Sequence, residues 1–353
     1  MRLLLFLLIS CAGNFGAEVR ITGADFAGAK QPQIAISEEG KIYVTFGKEE
    51  KIYVTRSADG ARFDDPVQVG ELSKLALGMR RGPRIAVIGR KVMLTAISHS
   101  AGNLYGWVSS NEGSSWGKPV IINSVTNSAR EGLHALAGDG KSKLISVWLD
   151  LRNGKTELWS SFSSDGGEKW EENRQVYKSP DGTICECCHP SVAFGESGKI
   201  VVMWRNLLEG NRDMYRAESV DGGKTFGAVK KIGAGTWRLA ACPMDGGSIG
   251  IANGTETYAW RREGKLFFTS EMGSETMLAG SGTQPVVIQK GNAVGYLWQD
   301  GGSLYWRSSA ADEAALFARN GGFAASGWSP KDRKAFVVWE SSDGIAISEL
   351  GAK

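Results

Sequence analysis

Several absences narrow the reading of this 353-residue chain before any motif is considered. Its net charge is +3 and no run of lysine or arginine stands out, so the electrostatic footprint of a nucleic-acid-binding protein is missing. The N-terminal apolar run, Leu3 to Ile9, is seven residues long, far short of the roughly 20 that a membrane-crossing helix needs. No linker or low-complexity stretch divides the sequence, which predicts one domain over residues 18–353. Histidine and cysteine are scarce, at three and five residues. Three of the cysteines nevertheless crowd into "CECCHP" at 185–190, with a fourth at Cys242 and the last at Cys11.

What is abundant is glycine, 47 residues, and tryptophan, 12 residues, a composition suited to short strands joined by tight turns. The first 17 residues, with Arg2, a short apolar core and then small residues, read as an export signal. Either Cys11 in "LISC" is the lipidated first residue of the mature chain, which would be its one link to a membrane, or cleavage follows Ala12 or Ala17. The expected location is periplasmic or extracellular, where thiols tend to pair.

A unit of four short strands repeats along the chain, starting near Pro32, Arg84, Leu133, Pro190, Gly247, Gln284 and Gly322. Second strands end alike, in "VWLD" at 147, "MWRN" at 203, "AWRR" at 259, "LWQD" at 297 and "VWES" at 338. Tryptophan recurring at one repeat position points to packing between neighbouring units. Units of this size and strand count predict an all-β single propeller of seven blades, with six the alternative. The last unit lacks a fourth strand, and "EVRITG" at 18–23 is expected to supply it and close the ring.

The turn after the third strand carries Ser-x-Asp-x-Gly-x-x-aromatic in "SSDGGEKW" at 163 and "SVDGGKTF" at 219. "SSNEGSSW" at 109 has Asn111 in place of the aspartate, and "SADGARF" at 57 is one residue short. The carboxylate can accept turn amides while glycine supplies positive φ. These Asp-boxes resemble the sialidase-like (BNR-repeat) β-propellers from about residue 25 onward. "CECCHP" with "AACPMDGG" is similar to secreted bacterial members of that group. The boxes are structural staples there, so Asp59, Asp165 and Asp221 are not catalytic candidates.

In a propeller the fourth-to-first connections and the second-to-third turns share one face. That places Arg81, Arg84, Arg130, Glu131, His134, Asp150, Arg152, Cys185, Cys187, Cys188, His189, Arg205, Arg212, Asp213, Trp237, Cys242, Asp245 and Arg261 on one rim. The resemblance implies arginines that grip a substrate carboxylate, with Arg84, Arg205 and Arg261 at comparable positions, because a guanidinium fork matches two oxygens. Arg81, Arg130, Arg152, Arg212, His134 and Trp237 are further substrate-binding candidates. Asp150, Asp213 and Asp245 are candidate acids, and Glu131 a base or tyrosine partner. Two features depart from that pattern. The Tyr/Phe-Arg-Ile-Pro motif that opens the first unit of sialidases is replaced by "KQPQIA", its nearest echo being "RGPRIA" at 81, and no tyrosine clearly sits on the rim.

Cys185, Cys187, Cys188 and Cys242 lie on adjacent loops. Disulfides bracing the pocket wall are one expectation. Thiolates that hold copper or zinc with His189 and Met244 are a second, and free redox-active thiols a third. Three function classes stand: a hydrolase or lyase acting on an acidic sugar, with no cofactor; a metal-binding or redox protein; and a non-catalytic propeller that binds a glycan or a protein.

Overall fold

A computed structural model describes residues 15–290, 293–308 and 313–351. Cys11 and most of the expected export signal fall in residues 1–14, outside the described residues. Among the described residues no helix is long and apolar enough to cross a membrane.

Seven four-stranded antiparallel sheets follow one another along the chain and form the blades of a propeller. Their first strands are Lys30–Ile36, Arg84–Ile88, His134–Gly138, Ser191–Phe194, Ser248–Ala252, Thr283–Lys290 and Gly322–Ser329, in blades 1 to 7. Each start lies within two residues of its expected position. Blade 7 takes its outer strand from the N-terminus: Val19–Arg20 pairs antiparallel with Gly344–Leu350, so the chain ends meet in one sheet. The seventh blade and its closure are therefore both as the repeat predicts.

Burial explains why the strands read as they do. Second strands are covered on both faces by neighbouring blades, and every residue of Leu144–Asp150 and of Ile200–Arg205 is buried. Fourth strands at the ring's outer edge are short and polar or exposed, as in Val120–Ile121 and Lys230–Lys231. The apolar core is divided into clusters between successive blades. Trp148, Trp204, Trp260, Trp298 and Trp339, none more than 3% exposed, each pack against the blade before their own. They are the expected inter-unit packing, and truncating any of them to alanine costs about 3–5 kcal/mol.

The Asp-box turns are held as their sequence implies. In the copy at 163 the Ser163 hydroxyl accepts the Gly167 amide at 2.9 Å, and Asp165 Oδ1 accepts the amides of Glu168 and Lys169 at 3.1 and 3.0 Å. Gly167 sits at φ +91°, where a Cβ would also run into Met93. Asn111 replaces the carboxylate without loss of the bond, accepting the Ser115 amide at 2.9 Å.

Candidate functional site

On the opposite face, the fourth-to-first loops are bonded to one another and to the ends of the second strands. Arg212 donates its backbone amide to Trp237 O at 2.8 Å, Cys185 to Arg205 O at 3.1 Å, and Ile184 to Thr156 O at 3.0 Å. The rim over blades 3 to 5 is thus a continuous, hydrogen-bonded wall. Most of the charged residues expected to act on a substrate are built into it.

Asp150 is fully buried. Its carboxylate accepts Ser128 Oγ and Trp148 Nε1, both at 2.7 Å, and is forked by Arg152 through Nε and a terminal nitrogen at 2.9 and 2.8 Å. Burial alone pushes its pKa up, but these donors bring it below the ordinary carboxylate value. It is therefore a poor proton donor. Arg152 is also stacked 3.8 Å above Trp159. Asp213 accepts the Trp237 amide at 2.8 Å and pairs with Lys231 at 2.9 Å. Both acids brace the rim; neither is presented to a ligand.

Of the expected grippers, Arg205 is committed in the same way. Arg205, 1% exposed, spends its donors on three backbone carbonyls, those of Asp245, Arg212 and Arg261, at 3.1, 2.7 and 2.8 Å. Both Arg205 and Arg261 lie over Trp237, their guanidinium carbons 5.3 and 5.9 Å from its ring centroid. Arg261 reaches Pro243 O at 3.5 Å. Arg81 donates to Glu131 O at 2.7 Å, and Arg130 is exposed. His134, 1% exposed, meets Thr95 Oγ1 at 3.0 Å inside the sheet and does not open onto the rim.

Two acids keep an unusual electrostatic setting. Glu131 is half-buried, and its pKa is raised by burial and then by the charge of Glu186. Asp245 is fully buried; Oδ2 accepts the Gln284 amide at 2.9 Å, while Oδ1 has no hydrogen-bond partner among the described residues. Burial raises its pKa, against the opposing pull of that amide and of Arg205, Arg80 and Arg261.

The ring axis holds a cavity of about 260 Å³ to which all seven first strands contribute, through Gln33, Arg84, Ala135, Ser191, Ser248, Val286 and Ser326. Arg80 and His189 line it as well. Arg80 was not anticipated. It leaves the loop before blade 2 and crosses the ring to blades 6 and 7, donating to Gln284 Oε1 at 2.8 Å, Ala324 O at 2.7 Å and Gln284 O at 3.1 Å. Arg84 donates to Gly82 O and Pro83 O at 3.1 Å and to the carbonyl of Arg80 itself. Among the described residues every hydrogen bond of these two guanidiniums ends on a neutral oxygen. Burial brings Arg80 down to about 10 and, joined by the like charge of Arg80, brings Arg84 down to about 9.

The same axis explains the Gln-Pro pairs that open units 1 and 6. Gln31 and Gln284 stand at φ +57° and +54°, each at a bulge where the first strand enters its sheet. Gln284 is thereby turned toward Arg80. Gln31 instead bonds Glu340 Oε1 through its amide and side chain at 2.7 and 3.0 Å. A repeated Gln-Pro at matching positions was the sequence signal for this interior ring.

Cys185, Cys187 and Cys188 are 0%, 8% and 1% exposed and form a cluster of their own, against which Met244 packs. Cys185 Sγ lies 3.7 Å from Cys187 Sγ and 2.9 Å from Cys188 Sγ, so no disulfide is formed in this structure. Cys242 is exposed on the neighbouring loop and interacts with Cys187. Arg212 bonds Leu239 O and places a guanidinium nitrogen 3.2 Å from Cys185 Sγ. His189 does not join the thiols: its Nδ1 accepts the Gly246 amide at 3.2 Å, and the ring faces the channel.

No protein-family model matches the chain, and no curated protein matches it in sequence. Its fold has many solved counterparts. YCF48 from Cyanidioschyzon merolae is 12% identical with a TM-score of 0.58, covering 94% of this chain and 98% of that one. A polysaccharide lyase, the PL25 ulvan lyase, is 11% identical with a TM-score of 0.54, covering 94% and 95%. The Hadza microbial sialidase Hz136 is 14% identical with a TM-score of 0.51, covering 94% and 67%. The chain thus has a sialidase-like propeller fold, and at these identities the likeness is one of fold.

Proposed function

We propose that the protein is a glycan-directed propeller that binds the anionic end of a saccharide at its central channel, without hydrolysing it. The Arg80–Arg84 pair is the observation that carries this reading. Two buried arginines line a polar cavity, and the charge acting on Arg84 is that of Arg80, while Asp245 and Glu340 act on Arg80. An anion entering there would offset the like charges of the two arginines and meet the N–H donors that their bonds to neutral oxygens leave over. The cavity volume, about 260 Å³, is near the lower bound for ligand pockets. It suits one sugar unit rather than a chain. A propeller fold shared with a sialidase and a polysaccharide lyase supports the glycan part of the reading by analogy.

The disposition of the acids supports binding over turnover. Asp150 accepts five hydrogen bonds, and each oxygen of Asp213 has a donor. A Tyr–Glu contact does exist, Tyr258 to Glu256, but Glu256 is also paired with Lys199 and Arg216, at the start of a second strand on the face away from the rim. Calorimetric titration with glucuronate, N-acetylneuraminate and glucose tests the reading. Both acids are expected to bind and glucose is not. Arg84→Met should abolish binding, and Arg84→Lys, which keeps charge but not the fork, should weaken it at least about tenfold, with circular dichroism confirming the fold. Glucose binding as well as the acids, or unchanged binding in Arg84→Met, would overturn the proposal. Turnover of a fluorogenic sialoside that is lost in Glu131→Gln would overturn its non-hydrolytic half.

A further inference from the structure

We propose that Cys185, Cys187 and Cys188 form a three-thiolate Cu(I) site under a thioether cover from Met244, independent of the central channel. The spacing C-x-C-C puts three sulfur donors into four residues. The structure folds them inward as a set, with all three Sγ atoms within 4.8 Å of one another. The turn is fixed at its base by the Ile184 and Cys185 amides, which bond to the strand-end carbonyls of Thr156 and Arg205. Three mutually facing, buried thiols are not required by packing, since any small apolar residue would fill the same volume.

The donor set selects the ion. Among the described residues the group within reach consists of sulfur alone, with no carboxylate or imidazole. His189, adjacent in sequence, is held away by the Gly246 amide. Soft thiolates and thioethers favour Cu(I), for which three sulfurs are a complete set. Zinc favours four tetrahedral ligands. The fourth thiol here, Cys242, is exposed rather than enclosed with the others. Charge is matched as well: three thiolates around Cu(I) carry −2, and Arg212 at 3.2 Å and the nearby Arg205 supply two positive charges.

Loading requires modest rearrangement and no change of oxidation state. Binding one Cu(I) as a three-thiolate site releases to solvent whatever protons the thiols carry. Two sulfurs of a trigonal three-sulfur set at metal–sulfur distances near 2.3 Å stand about 4.0 Å apart. The Cys185–Cys187 separation of 3.7 Å is close to that, and the Cys188 side chain must swing outward from 2.9 Å.

The test uses the full chain, purified anaerobically with reductant and loaded with Cu(I) against a chromophoric Cu(I) chelator. One Cu(I) per chain is expected, with X-ray absorption showing three sulfur neighbours. Cys185→Ser and Cys188→Ser should each lower the affinity by at least about 100-fold, beyond what indirect effects on a metal site give, whereas Cys242→Ser should retain the ion. Because a serine variant could lose Cu(I) by misfolding, its melting temperature is measured without metal. Loss of copper at an unchanged melting temperature supports the site. Failure of the folded wild-type chain to retain Cu(I) would overturn it. So would preferential uptake of Zn(II) with loss in Cys242→Ser, or a disulfide among Cys185, Cys187 and Cys188 mapped in protein recovered without reductant.

Discussion

Replacing Asp150 by asparagine removes one negative charge from a position that water does not reach, and its consequence can be worked out atom by atom. The carboxylate accepts five hydrogen bonds: two from Ser128 and Trp148, and three from Arg152, whose backbone amide lies at 2.8 Å. An asparagine amide group placed at Oδ2 would face Trp148 Nε1 and the Arg152 terminal nitrogen. Placed at Oδ1, it would face the Arg152 amide and Nε. Either way two donors oppose a donor. Breaking a buried ion pair costs about 3–5 kcal/mol. Arg152 keeps Asn173 Oδ1 at 3.0 Å and its stack on Trp159, and its side chain is 10% exposed, so part of the loss is recovered by solvation. The expected destabilisation is therefore about 3 kcal/mol, or about 4 °C in Tm for a chain of this length. Urea unfolding followed by tryptophan fluorescence measures it at pH 7. The folded-state pKa of Asp150 is depressed, so its contribution is present above the unfolded value of about 3.9 and fades as pH falls through the folded value. The gap between wild type and Asp150→Asn should narrow below about pH 4. A gap under about 0.5 kcal/mol at pH 7, or one that does not change with acid, would refute the account of Asp150 as a rim brace. Unchanged stability with loss of sugar binding would return it to the ligand site.

Further outcomes follow from the same geometry. Gly295→Ala places a Cβ 1.8 Å from the Trp306 ring, so the indole must leave its place on blade 6; a loss of about 1–3 kcal/mol is expected in denaturant unfolding, and a neutral effect would contradict the packing. Deleting residues through Thr22 removes the strand that pairs with Gly344–Leu350 and leaves an open sheet edge. That chain should melt lower and form larger species in light scattering, whereas wild-type behaviour would show that ring closure does not depend on this strand.

The sequence carried the architecture because a propeller is a local code written seven times. Each unit needs a strand buried on both faces and a glycine turn, and five of the seven add a tryptophan for the blade before them, all visible as residue types at fixed spacing. Ring closure was legible for the same reason: one unit was a strand short, and an unassigned strand stood at the other end of the chain. Even the face on which a loop lies followed from its place in the repeat, which is why Cys185 and Cys242 could be set side by side.

What the repeat could not convey is the partner of each charged side chain, since that depends on loops whose course is fixed by contacts across blades. Arg205 and Asp150 look like a gripper and an acid in one dimension; in three, carbonyls of the wall and Arg152 occupy them. Arg80 reads as one more basic residue of "MRRGPR" until it is seen to cross the ring to Gln284 and Ala324. His189 sits beside the cysteines in sequence yet is drawn to the channel by one amide of the next loop. The sequence by itself thus determined the seven blades, their order and their closure, because those rest on short-range pattern and burial. Only the tertiary structure decided which guanidiniums meet an open cavity and which sulfurs face one another, because long polar side chains take their partners from segments brought together by the ring.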